Sequence, residues 1–114
     1  MNKIEIGKSG EEEAINFLKR NKYKILNRNF KTKFGEIDII AKKNGEIVFI
    51  EVKTRNTTLF GYPEEAIDKR KINHIQKVAT YYLQRNKIKI PFKFEVLSIL
   101  TKNGRKEIKV IPLE

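Results

Sequence analysis

An Asn-Gly pair set between strand-like apolar stretches is the strongest short-range signal for a β-hairpin, because a type I′ turn needs positive φ at both central residues. Asn44-Gly45 is such a pair, inside the segment Gly35–Arg55, GEIDIIAKKNGEIVFIEVKTR. With the turn there, Lys43 pairs with Glu46 and each further pair steps outward by one residue on both strands. Asp38 then falls opposite Glu51, and Glu36 opposite Lys53. Side chains alternate between faces along a strand. Glu36, Asp38, Glu51 and Lys53 therefore share one face at the open end of the hairpin. Ile37, Ile39, Val48, Ile50 and Val52 share the other, the expected core face.

A solvated face carrying a Glu36–Lys53 ion pair is the plainer account of those four charges. Two features argue against it. Directly opposed carboxylates repel and destabilise a sheet. Asp38 is also one of only two aspartates in the chain, and it stands in an Ile-rich strand where Asp is disfavoured. The opposition turns favourable when both carboxylates share a hard divalent cation, which takes oxygen ligands and favours their ionised form. Lys53, two residues beyond Glu51, points into the same place and can hold a water or a phosphate oxygen by charge. Such a set suits metal-assisted phosphodiester hydrolysis.

The remaining chain reads as one α/β domain over residues 1–114, without repeat or linker. Ser9 and Glu12 have capping-box spacing, and Ala14, Ile15, Phe17 and Leu18 follow at helical spacing, which predicts a helix over Gly10–Asn21. Strands are expected over Lys24–Lys31, Glu36–Lys43 and Glu46–Thr54, then a loop over Arg55–Pro63. A long helix is expected from an N-cap at Asp68 to about Arg85, with an apolar stripe of Ile72, Ile75, Val78, Ala79, Tyr82 and Leu83. Strands over Phe92–Leu100 and Lys106–Pro112 follow, joined at Asn103-Gly104. The order is αβββαββ, with one mixed sheet and helices packed on it.

Composition narrows the chemistry. The chain has 25 Lys+Arg against 14 Asp+Glu, a net charge of +11, with no Cys and one His, His74. Thiolate metal sites, catalytic thiols and multi-His clusters are excluded. No apolar run reaches the ~20 residues that a membrane helix needs, and the first residues lack a signal-peptide apolar region, so the cytoplasm is the expected compartment. A small domain this basic points to a polyanionic partner, most often nucleic acid.

These residues also carry a resemblance. Asp38 with Glu51-Val52-Lys53 resembles the D…(D/E)-x-K motif of the PD-(D/E)xK nuclease superfamily, whose restriction-endonuclease-like core has the order αβββαβ; the last strand here would be an addition. A closer and longer similarity is to the YraN-type bacterial family, itself similar to archaeal Holliday-junction resolvases. It rests on Gly7-x-x-Gly10-Glu11-x-x-Ala14, Gly35-Glu36-Ile37-Asp38, Phe49 to Arg55, Phe60-Gly61, and Glu65-Ala66-Ile67 with Lys71. The resemblance implies an Mg²⁺- or Mn²⁺-dependent deoxyribonuclease, acting on branched or otherwise structured DNA rather than RNA. Asp38, Glu51, the Val52 carbonyl and Glu11 would hold the metal, and Lys53 would orient water or phosphate. The Pro usual before the motif Asp is replaced by Ile37. Glu95 stands in Phe94-Glu95-Val96 where the family pattern leads one to expect Asp, and no role is placed on it.

Glu11, Glu12 and Glu13 all suit the positive end of a helix dipole, but only Glu11 falls about 40° from the centre of the apolar stripe, toward the sheet. Arg55 and Lys71 are candidate phosphate contacts, and Lys69, Arg70 and Lys77 would extend a basic face, though charge runs on helices are more often solvated. Phe60 and Tyr62 in the loop either meet substrate or pack. His74 reads as a surface residue, and Tyr81-Tyr82 as core and interface rather than a base-stacking platform. Cutting two strands needs two active sites, which a homodimer would supply. A nucleic-acid-binding adaptor that keeps the nuclease fold without cutting is the main alternative, and a ribosome-bound basic protein a lesser one.

Overall fold

A computed structural model describes residues 3–56 and 61–113, with the side-chain surroundings of 3–9 and 66 left aside. Phe60 and the capping role of the Ser9 side chain lie outside what it describes. The elements run α1 (Lys3–Arg20), β1 (Lys24–Thr32), β2 (Gly35–Lys43), β3 (Glu46–Arg55), a 3₁₀ turn (Pro63–Ala66), α2 (Lys69–Arg85), β4 (Phe92–Lys102) and β5 (Arg105–Leu113). The expected order holds. The first helix begins earlier than the S-x-x-E spacing suggested, because that spacing fits an interior turn of a helix as well as its start. The short turn Pro63–Ala66 starts at the last residue of the expected loop and runs on through residues without a predicted element; Pro at its first position favours helical φ.

One five-stranded mixed sheet has the spatial order β1-β2-β3-β4-β5. Strands β1 to β3 form an antiparallel meander, β4 runs parallel to β3, and β5 returns antiparallel. The parallel step requires a crossover, and α2 supplies it. Both Asn-Gly turns have the positive φ values that type I′ demands, 51° and 78° at Asn44-Gly45 and 52° and 73° at Asn103-Gly104. The hairpin register is the expected one, from Lys43 opposite Glu46 to Ile39 opposite Ile50.

The sheet is covered on both faces. On one, Ala14, Ile15 and Leu18 of α1 pack on Ile39, Ala41, Val48, Ile50, Leu97 and Ile99. On the other, Ile75, Val78, Ala79 and Tyr82 of α2 pack on Ile37, Ile40, Ile47 and Phe49. The α2 stripe is as read from the periodicity, and its N-cap is Asp68, whose Oδ1 accepts from the Lys71 N–H at 2.9 Å.

The expected placing of the core on one hairpin face is corrected. Each face is covered by its own helix. Ile37 also does not share the face of Ile39: it belongs to the α2 core, and Ile39 to the α1 core. The strand inverts at Asp38. On β1, the residue at the matching position is Asn29, with φ of 52°, between the pairs Arg28–Ile39 and Phe30–Ile37. A left-handed residue within a strand re-aims the side chains beyond it, as in a bulge. Phe30 accordingly follows Ile37 into the α2 core. Among the described residues no helix is long and apolar enough to cross a membrane.

Candidate functional site

Where β2 inverts, its pairing with β3 stops. The ladder ends at Ile39–Ile50, and the next contact is made by a side chain: the Val52 N–H donates to Asp38 Oδ2 at 2.8 Å. Asp38 thus lies in the seam between strands, held by backbone. Glu51, the preceding residue on β3, is only 4% exposed. Burial and the neighbouring Glu51 carboxyl push Asp38 up to about 8, against the pull of the Val52 N–H and Lys71.

Lys71, in the first turn of α2, brings its Nζ to 3.0 Å from Glu51 Oε2. The pair is not aligned as a hydrogen bond, and Oε2 is a buried oxygen without a hydrogen-bond donor among the described residues. Burial alone would lower the Lys71 pKa; the Glu51 carboxylate, with Asp38 and Glu36 behind it, outweighs that and raises it, so the ammonium stays charged. This ion pair was invisible in the sequence, which marked Lys71 only as a phosphate contact.

Glu11 approaches from α1. A Cβ at Gly10 would meet the Thr54 Cγ2 at 2.6 Å, so the helix lies against the end of β3 closely enough that any larger residue would push the Thr54 side chain aside. Glu11 Oε2 accepts from Asn29 Nδ2 at 3.3 Å, which stations it beside the strand position matching Asp38. Among the described residues, Glu11, Asp38 and Glu51 do not close into a three-carboxylate cluster. Its neighbours point elsewhere: Glu12 pairs with Arg28 and Glu13 with Lys106.

The other charges sort as follows. Glu36 pairs with Lys31 at 3.9 Å rather than with Lys53, because the end of β2 pairs with β1 and not with β3. Lys53 is half-buried, in register with Ser98, and makes no ion pair among the described residues. Arg55 is half-buried at the end of β3; Lys69, Arg70 and Lys77 are exposed along α2, and so is His74, as expected. Beside Lys53, the Ser98 hydroxyl donates to Glu64 Oε1 at 2.9 Å, and Lys109 pairs with Glu64 Oε2 at 2.8 Å. Glu95, given no role, is buried and accepts from the Tyr23 hydroxyl at 2.8 Å. Burial and that bond raise the Tyr23 pKa.

Chemically, the site offers two adjoining carboxyl groups in the sheet, one with a buried oxygen that lacks a donor, and two lysines. An oxygen-only donor set, with a buried carboxylate oxygen that accepts no hydrogen bond and has the Lys71 ammonium as counter-charge, fits a hard divalent cation.

Comparison with known proteins bears on the whole domain. Residues 10–99 match the family model described as "Uncharacterised protein family UPF0102". A UPF0102 protein of Caldicellulosiruptor saccharolyticus is 53% identical over 100 residues, covering 87% of this chain and 85% of that one. One from Persephonella marina is 47% identical over 98 residues, with 85% and 84% covered. One from Syntrophomonas wolfei is 46% identical over 108 residues, with 94% of each covered. The YraN-type resemblance read from the motifs leads to the same place: the chain belongs to the UPF0102 family.

Proposed function

We propose that this protein is a divalent-metal-dependent nuclease with a restriction-endonuclease-like core, hydrolysing phosphodiester bonds in DNA of branched or otherwise structured form. The observation that carries the reading is the placing of Asp38, held on the Val52 N–H, beside the buried Glu51, an arrangement that costs stability in a metal-free sheet and loses that cost with Mg²⁺ or Mn²⁺ bound. Asp38, Glu51 and the Val52 carbonyl would hold the cation, with Glu11 joining from α1. When bound, the cation supplies Lewis acidity and an acidified water at neutral pH.

This chain's own residues do the rest. Asp38, fixed by the Val52 N–H, sets the position of the reacting phosphate relative to β3. Lys53 projects beyond Glu51 and holds the attacking water or a non-bridging phosphate oxygen by charge. Arg55, Lys69, Arg70 and Lys77 hold flanking phosphates, which makes binding fall steeply with salt. Two copies of the chain acting together would provide the paired cuts that a duplex or junction requires.

Cleavage of linear, nicked and four-way DNA with Mg²⁺ or Mn²⁺ tests this. Wild type should cut at least one substrate, and Asp38→Ala and Lys53→Ala should each abolish it; cutting that survives either substitution sinks the assignment. One observation favours the adaptor alternative: Lys71 already neutralises Glu51 at 3.0 Å. Salt-sensitive DNA binding with no cleavage of any substrate would select it.

A further inference from the structure

The turn between β1 and β2 and the outer flank of α2 border a groove of which the metal-centred reading uses only Lys77. Two hollows, of about 490 and 550 Å³, lie side by side, and both are lined by Phe34 and Tyr81. Each is within the ~300–1,000 Å³ typical of ligand clefts. Phe34 is 40% exposed and Tyr81 41%, although aromatic rings of this size are normally spent on the core. Tyr82, the next residue, is the buried partner of Phe30 and Phe49, so Tyr81 is left outward by helical geometry. Of the core and interface expected for Tyr81-Tyr82, Tyr82 supplies the core, while the Tyr81 ring meets, among the described aromatic rings, only the half-buried Phe30, at 6.2 Å between centroids.

The rim is basic. Lys77 lines one hollow, and Lys31, Lys33 and Arg85 line the other; no acidic residue lines either. Lys33 Nζ lies 5.3 Å from the Phe34 ring centroid, so one turn presents a ring and a charge together. The chain joins one wall of the groove to the proposed site: the Phe34 turn opens β2, the strand that carries Asp38. Exposed rings spaced along a cationic groove are the means by which proteins hold single strands: bases stack on the rings while charges track the backbone.

We propose that this groove binds a single-stranded DNA segment, bases stacking on Phe34 and Tyr81 and phosphates meeting Lys31, Lys33, Lys77 and Arg85. This rests on the nuclease reading and deepens it: the substrate is DNA whose duplex opens into a single-stranded arm beside the cut.

Binding can be measured apart from cleavage, on the full chain in EDTA, by fluorescence anisotropy of labelled oligothymidylate. Phe34→Ala and Tyr81→Ala should each weaken binding about 5- to 100-fold, the usual range for losing one stacked base. Tyr81→Phe should keep it. Lys33→Glu should weaken it and lower its salt dependence. An abasic strand of the same length should bind more weakly than oligothymidylate and be insensitive to the ring substitutions. The proposal is overturned if abasic and normal strands bind alike, or if neither ring matters. It is equally overturned if RNA is strongly preferred, or if wild type sediments as a dimer that Phe34→Ala dissociates, since a second copy would then cover the rings. Failure of the two readings separates cleanly. Ring-dependent binding without any metal-dependent cutting removes the nuclease and keeps the groove; cutting with ring-independent binding does the reverse.

Discussion

Lys71 Nζ stands 3.0 Å from Glu51 Oε2, joining the first turn of α2 to a residue buried in β3. In the metal-free protein this lysine occupies the role of counter-charge to a carboxylate that burial would otherwise penalise. Removing it by Lys71→Met should destabilise the metal-free protein by about 1–3 kcal/mol, less than for a fully buried pair because the lysine is partly exposed. Mg²⁺ should restore most of that loss. Urea denaturation with and without Mg²⁺ checks both halves.

Asp38 gives a pH dependence of definite sign. Its folded-state pKa is raised to about 8 by burial and by the Glu51 carboxyl. Its contribution to stability is therefore fully present below the unfolded value near 3.8 and is lost as pH rises toward 8. Wild type in EDTA should lose stability across that window relative to Asp38→Asn, which has no proton to lose. Cation binding must displace the same proton, so Mg²⁺ affinity should rise by about tenfold per pH unit below the folded pKa. Calorimetric titration in buffers of different ionisation enthalpy would register the released proton; an affinity flat from pH 6 to about pH 8 contradicts the raised Asp38 pKa.

Gly10 sets how near α1 comes to the site. A methyl group there would fall 2.6 Å from Thr54 Cγ2, so Gly10→Ala should cost about 1–3 kcal/mol through overpacking. Adding Thr54→Ser, which removes that methyl, should recover much of the loss. Thermal melts of the single and double variants decide it; equal melting temperatures for wild type and Gly10→Ala would show that the helix is not held close.

Tyr23 and Glu95 form a buried polar pair, with Glu95 in register with Ile50, the residue before Glu51. Tyr23→Phe leaves the Glu95 oxygen without its donor, at a cost of about 1–3 kcal/mol. Tyr23→Phe with Glu95→Leu should cost less than the sum of the two single changes, because the orphaned carboxylate goes with its partner. Denaturant midpoints of the four proteins form the cycle.

What could be read from the sequence was what local chemistry determines. Asn44-Gly45 and Asn103-Gly104 set their own backbone angles, so both hairpins and the register of the first were legible. Asp68 caps α2 through a side chain three residues from its donor, and the α2 stripe repeats at the helical period. The legible register carries β2 and β3 as far as Ile39–Ile50, which leaves Asp38 beside Glu51; the last step is made by the Asp38 side chain on the Val52 N–H. The inversion of β2 at Asp38 was not legible, since strict alternation assumes uniform extended backbone and the left-handed residue beside it, Asn29, is on another strand. Nor were Lys71–Glu51 and Tyr23–Glu95, which join segments 20 and 72 positions apart. No spacing rule links such residues; only packing of both helices does.

The strand order also has a consequence for assembly. The meander β1 to β3 and the hairpin β4–β5 are closed by short turns, whereas β3 meets β4 only after the crossover through α2, Ile47 finding Phe92. Contacts across a long intervening chain form late and set the pace of folding. Glu51 gains its neighbours Val96 and Lys71 from the late-arriving part. The meander can thus be complete while this carboxylate is still in water, and the last closure of the sheet is the event that takes it out.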